Sequence, residues 1–274
     1  VAYGAQDIYL TGNPQITFFK VVYRRHTNFA IESITQHFNG DAKTKGKVSA
    51  TIARNGDLLW HVALVIEVPT GNTSDDITDY TNVIDFVDVE IGGQLIDRHY
   101  GDWLCVWTNL NESIDKRAVL DDMINNRTSY IDPNNRLTII PLQFWFCRNP
   151  GLALPLIALQ YHEVKINISI SDTYPENDGT NDPTMSMLCD YIFLDTDERR
   201  RFAQVSHEYL IEQVQRDYRQ LENIKGPTAA AATMAKGYSK IVQEVKLNFN
   251  HPVKELIWCF GQKNHVNKEY QLYT

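Results

Sequence analysis

Apolar and polar residues alternate along much of this chain with a period of two. Residues 60–68 read Trp-His-Val-Ala-Leu-Val-Ile-Glu-Val, which places Trp60, Val62, Leu64, Ile66 and Val68 on one face. Residues 163–170 repeat the pattern, with Val164, Ile166, Ile168 and Ile170 opposite Glu163, Lys165, Asn167 and Ser169. Successive side chains of a strand point to opposite sides, so such runs predict strands with one packed face and one open face. Further strands are predicted over residues 16–24, 29–38, 48–53, 83–91, 137–146, 191–194, 209–215, 238–249 and 253–260. Turn-forming pairs punctuate them: Asn39-Gly40, Asn55-Gly56, Gly92-Gly93, Asn149-Pro150-Gly151 and Asp178-Gly179. Asn55-Gly56 is the sharpest hairpin signal, since both residues tolerate positive φ. Many short strands with regular turns predict a sandwich or barrel, an all-β fold.

One segment, residues 110–125, has helical spacing, with Leu110, Ile114 and Ala118 on one stripe. It reads as an insertion between strands. Polar residues 70–80 and 171–184 read as exposed loops, and residues 226–237 as a linker. A second series of alternating positions follows that linker and is too short to close a sheet. The expected organisation is a first domain over residues 1–210, then a linker and the start of a second domain over 211–274.

Composition narrows the function. The 274 residues carry 26 Lys and Arg against 34 Asp and Glu, a formal net charge of −8. Direct nucleic-acid binding is not expected, because neutralising phosphates calls for basic excess. No apolar run is long enough for a membrane-spanning helix, and the chain opens without a signal-peptide pattern. Both ends read as cut, with Val1 in place of an initiating Met and Thr274 inside a strand-like run. Cys105, Cys147, Cys189 and Cys259 are far apart and read as buried reduced thiols.

Catalytic patterns are missing. None of the eight histidines has His, Asp or Glu two positions on, and His162-Glu163 and His207-Glu208 do not extend to H-E-x-x-H. Neither a G-x-S-x-G elbow nor a phosphate-binding glycine loop occurs. Acidic pairs such as Asp75-Asp76, Asp121-Asp122, Asp88 with Glu90 and Asp195 with Asp197 could serve glycoside hydrolysis, but among 34 acids such pairs arise by chance, and chance is the better explanation. The run from Asp195 to Arg201 reads as a charged strand end whose arginines pair with nearby carboxylates or with a neighbouring subunit. Glycan-acceptor sequons stand at Asn72, Asn111, Asn126 and Asn167, the last inside a strand. Tyr100, Trp103 and Trp107 could form a sugar-stacking platform, so a carbohydrate-binding jelly roll is the alternative reading.

Longer motifs are more specific. The opening Gly4-Ala5-Gln6-Asp7-Ile8-Tyr9-Leu10-Thr11-Gly12-Asn13-Pro14-Gln15-Ile16-Thr17-Phe18-Phe19-Lys20, continued by Tyr23-Arg24-Arg25-His26-Thr27-Asn28-Phe29-Ala30, resembles the start of major capsid proteins of nucleocytoplasmic large DNA viruses. The resemblance recurs from Leu154 to Val164, from Asp195 to Ala203, from His207 to Gln213 and from Phe249 to Trp258, and is nearest to algal and giant viruses. It implies two successive eight-stranded antiparallel jelly-roll sandwiches, of which the chain holds the first and the start of the second. It further implies a non-catalytic shell subunit without cofactor or metal. That subunit would assemble as a homotrimer into pseudo-hexagonal capsomers of an icosahedral shell around double-stranded DNA. Its partners would be neighbouring capsomers and minor capsid proteins, and its place the virion, with synthesis and assembly in the host cytoplasm.

Overall fold

The computed structural model describes residues 27–40, 46–69, 80–124, 135–172, 174, 183–217 and 246–259. The chain divides into two compact units, Val1–Val214 and Gln215–Thr274. Among the described residues of the first, nine strands form two antiparallel sheets. They are β1 (Phe29–His37), β2 (Lys47–Thr51), β3 (Leu58–Pro69), β4 (Ile84–Ile91), β5 (Gln94–Tyr100), β6 (Asn135–Pro141), the two-residue β7 (Leu154–Pro155), β8 (Val164–Ile170) and β9 (Thr184–Leu194). Sheet A has the order β1-β9-β3-β6, with β7 also paired to β3, and sheet B has the order β2-β8-β4-β5. Apart from the β4–β5 hairpin, neighbours in each sheet come from distant parts of the sequence, as the chain crosses repeatedly from one sheet to the other. The eight long strands thus make a jelly-roll sandwich.

The core lies between the sheets. Val164, Ile166, Ile168 and Ile170 of β8 face Leu59, Val62, Leu64 and Ile66 of β3 and Met187, Cys189 and Tyr191 of β9, all within one buried cluster. β8 alternates buried and half-buried positions throughout. The expected face of β3 holds at Val62, Leu64 and Ile66 and fails at Trp60. A bulge lies between Leu59 and Val62 opposite β9, so two residues stand against one and the alternation slips. Leu59 therefore enters the core, and Trp60 joins Leu58 on the outer side.

Other expectations need correction. Residues 110–125 are not one helix: α2 (Gly101–Asn111) and α3 (Ile114–Ile124) meet at a break where Glu112 is extended. The stripe Leu110, Ile114 and Ala118 is exposed, while Leu120 and Ile124 are buried instead. The strand expected over 137–146 ends at Pro141, and Trp145–Arg148 form a helical turn, α4. α1 (Tyr80–Val83) is a comparable single turn. Asn55-Gly56 closes no hairpin, because β2 and β3 lie in different sheets. Gly92-Gly93 does close one: both have positive φ (59° and 83°) between β4 and β5.

The run after Asp195 is a helix, α5 (Thr196–Gln204), and not a strand end. Asp195 caps it by accepting the Thr196 N–H, and Asp197 and Glu198 favour the positive end of its dipole. Residues 209–215 form no strand; Gln213 and Val214 lie beside β5, bonded to it through side chains. In the second unit, the described parts of the strands expected at 238–249 and 253–260 are irregular, with Asn250 N–H donating to the Gln215 side chain at 2.9 Å. The strand expected at 16–24, the linker 226–237 and most of loops 70–80 and 171–184 lie outside the described residues.

Candidate interaction surface

The two sheets present unlike outer faces. On sheet B the outward residues neutralise one another. Arg98 grips Asp88 through both carboxylate oxygens, at 2.6 and 2.7 Å, and lies 4.3 Å from the Phe86 ring centroid, which Lys47 also overhangs. Paired this way, the Arg98 guanidinium holds its proton more tightly than usual. Asn167 donates to Glu90 at 3.1 Å, and Lys165 pairs with Glu163. Asp88, one of the acids with hydrolase-like spacing, is thereby engaged in a bidentate ion pair. This face needs only water.

The outer face of sheet A is apolar. Leu58, Ala153 and Ile192 are buried there beneath Trp60, Leu194 and Phe202, the last supplied by α5. Toward the β1 side the cover stops. Phe29 and Ile31, opposite Leu194 and Ile192, are 67% and 47% exposed, and Val205 after α5 is 53% exposed. A polar bridge interrupts the patch: Ser33 donates to Asp190, and His61 stands 3.4 Å from the same carboxylate. A patch of large apolar side chains bordered by polar groups is the usual mark of a contact surface.

α5 is fixed over this face by charge. Arg199 reaches back to Asp57 with Nε and Nη2 both at 3.0 Å, and Asp57 also accepts the Leu194 N–H at 2.8 Å. Arginine pairing with a carboxylate is thus found, from a helix. Arg200 and Arg201 are exposed.

The sheet edges differ as much as the faces. β2 is bridged on its free side by Asn39, which exchanges backbone bonds with Ser49. β6 packs against α3, whose Ile124 carbonyl accepts from Thr138. β5 is covered by residues 212–214: Gln213 donates to the Ile96 carbonyl, and the Val214 N–H donates to Asp97 at 3.0 Å. Nearby, Glu212 pairs with Arg148 at 2.7 Å. Asp97 also accepts the Arg98 N–H and lies 2.9 Å from His99 Nε2, whose ring stacks on Phe144. β1 pairs with β9 alone among the described residues, and its first five residues are exposed on both faces.

The remaining predicted positions fall elsewhere. Trp103 and Trp107 are half-buried on α2, with ring centroids 5.8 Å apart. The Arg148 guanidinium sits 3.9 Å above Trp107, so that ring face already has a cation in the place a sugar would take. Burial draws the Arg148 pKa down, opposed by Glu212. Asn111 is exposed at the end of α2; Asn72 and Asn126 lie outside the described residues. Cys147 and Cys189 are buried, Cys105 is partly so, and Cys259 is exposed, against the expectation for that thiol. Among the described residues no three His, Cys, Asp or Glu side chains converge on a metal position, and no helix is long and apolar enough to cross a membrane.

Known proteins resemble this chain over nearly its whole length. Residues 17–195 match the family model described as major capsid protein N-terminus, and residues 198–274 match large eukaryotic DNA virus major capsid protein. The major capsid protein of Pyramimonas orientalis virus is 51% identical over 268 residues, covering 94% of this chain and 63% of that protein. The major capsid protein of Paramecium bursaria Chlorella virus 1 is 46% identical over 270 residues, covering 94% of this chain and 59% of its own length. Among solved structures, PBCV-1 VP54, fitted into a reconstruction of the virophage Sputnik, superposes with a TM-score of 0.61 at 44% identity. It covers 73% of this chain and 50% of that one. The Faustovirus major capsid protein, 10% identical, has a TM-score of 0.51 over 73% of this chain and 60% of that one, which speaks for the fold alone. The chain spans less than two thirds of these relatives.

Proposed function

Because the chain belongs to the major capsid proteins of large eukaryotic DNA viruses, a family of structural proteins and not of enzymes, we propose that it is the N-terminal part of a shell subunit that trimerises into pseudo-hexagonal capsomers. The observation that carries this reading is the pairing of a jelly-roll sandwich with one self-neutralised outer face and one apolar one. A subunit that repeats across a lattice needs a surface kept for its neighbours, and the sheet A face has the required chemistry. Three subunits in a closed ring make heterologous contacts, so a single patch of this kind meets a different surface on the next copy.

On this reading residues 1–210 are a first jelly roll and residues 211–274 the start of a second, and the whole protein carries two barrels per subunit, six per trimer. Neighbouring capsomers and minor capsid proteins are its further partners, the virion its location and the host cytoplasm its place of assembly. Asn72, Asn111 and Asn126 are the candidate glycan acceptors, and Asn111 is exposed at the end of α2.

The test uses the full-length protein. Light scattering after size exclusion is expected to give a trimer at micromolar concentration, with three-fold particles of pseudo-hexagonal outline by electron microscopy. Monomers throughout the concentration range, and no particles, would overturn the reading. Replacing Ile31 and Phe29 together with Asp is expected to weaken the trimer while leaving the barrel's circular dichroism unchanged.

A further inference from the structure

We propose that Arg148 couples α2 to the strap of residues 211–214, so that displacing either one loosens the other. The Arg148 guanidinium stands at a three-way junction. It lies 3.9 Å from the ring centroid of Trp107 on α2, its Nε donates to the Gln143 carbonyl at 3.1 Å, and its Nη1 pairs with Glu212 of the strap at 2.7 Å. α4, which carries it, is a single helical turn packed against β3. The barrel wall thus holds the cation, the helix takes its face and the strap takes its edge.

The Arg148 side chain is 18% exposed, so each charged or aromatic partner acts on it more strongly than it would in water. Burial weakens its hold on the proton, and Glu212 and then Asp97 restore it. Asp97 also accepts the Val214 N–H at 3.0 Å, and Gln213 donates to the Ile96 carbonyl. The residues after Glu212 are therefore tied to the same corner of the barrel. A planar guanidinium can stack and pair at once, and the stack fixes the plane in which its fork lies. Without the Trp107 ring, Arg148 turns toward water and the strap loses the orientation of its charge partner. Without the Glu212 charge, the ring loses a cation held over it. By linkage the two effects are equal in free energy. α3 is drawn in as well, since Arg117 donates to Asn109 of α2 at 3.2 Å. Contact made on these helices is thus felt at the strap, whose last residue, Val214, ends the first compact unit.

Hydrogen exchange of the full-length protein, read by peptide mass spectrometry, tests the coupling from both ends. Trp107→Leu is expected to speed exchange of the 211–214 amides at least about threefold, the lower range for loss of a cation–ring contact. Glu212→Gln is expected to do the same to the amides of α2, and in both variants the β8 amides keep their protection. In an Arg148→Met background, Trp107→Leu is expected to add nothing further at the strap, because the residue that joins the two is gone. An unchanged strap in Trp107→Leu, an unchanged α2 in Glu212→Gln, or the same effect of Trp107→Leu with and without Arg148 would each overturn the proposal. Glu212 is 46% exposed, so the Gln variant decides the matter from the strap side even where loss of Arg148 disturbs the fold.

Discussion

Asp97 is a buried carboxylate on an edge strand, with the N–H groups of Arg98 and Val214 on one oxygen and His99 beside the other. Removing it leaves both the His99 ring and the Val214 amide without their acidic neighbour. Asp97→Ala is expected to cost about 3 kcal/mol, in the range for breaking a buried polar pair, and Asp97→Asn less, since one acceptor stays. Chemical denaturation of the two variants checks this. The thiols give a pH dependence. Burial pushes Cys147 and Cys189 up from 9.0 to about 12. Between those values the unfolded chain releases thiol protons that the folded chain retains, so raising the pH favours unfolding. The thiol contribution is therefore full below about pH 9 and is lost as the pH climbs through 12; buried Tyr174 and Tyr191, also shifted upward, act in the same direction. Denaturant midpoints measured from neutral to strongly alkaline pH are expected to fall only above about 9. In the folded protein at pH 8, iodoacetamide is expected to label Cys259 and spare Cys147 and Cys189.

At the scale of elements, the β4–β5 hairpin rests on two glycines that are not equivalent. A Cβ on Gly92 would lie 2.7 Å from His162 Nδ1 as well as at φ +59°, while one on Gly93 would meet nothing within 4 Å. Gly92→Ala is expected to cost about 2 kcal/mol and Gly93→Asn less than about 1, as melting curves would register. The turn of this hairpin was legible from Gly92-Gly93 after the run 83–91, and β8 from its strict alternation. β5 was not, because its inward positions carry Asp97 and His99, polar residues that the second half of the barrel, through Phe144 and Val214, makes acceptable. α5 escaped for a similar reason. Its residues show one large apolar side chain, Phe202, and its docking depends on Asp57, far back in the sequence. Trp60 was assigned to the wrong face because a bulge leaves no trace in alternation. Local pattern reveals an element when its own neighbours stabilise it, and conceals one held by partners from afar. The apolar outer face had no signal of its own: Ile31, Ile192 and Leu194 read as ordinary strand residues until the sheet sets them side by side.

For the whole molecule, a formal charge of −8 and three covered edges favour a particle that stays apart from its copies except where apolar surface is presented. The strand order of sheet A adds a consequence in time. β1 is synthesised well before its partner β9, since the Ser33–Asp190 bond spans 157 residues. At typical translation speeds β1 must wait on the order of 10 to 30 seconds for its neighbour to emerge. Sheet A therefore closes late and nearly all at once, and a nascent chain halted before Thr184 would carry an apolar strand with nowhere to go. Ribosome-bound chains stopped there should recruit chaperones, and chains extended enough to free Leu194 from the exit tunnel should release them.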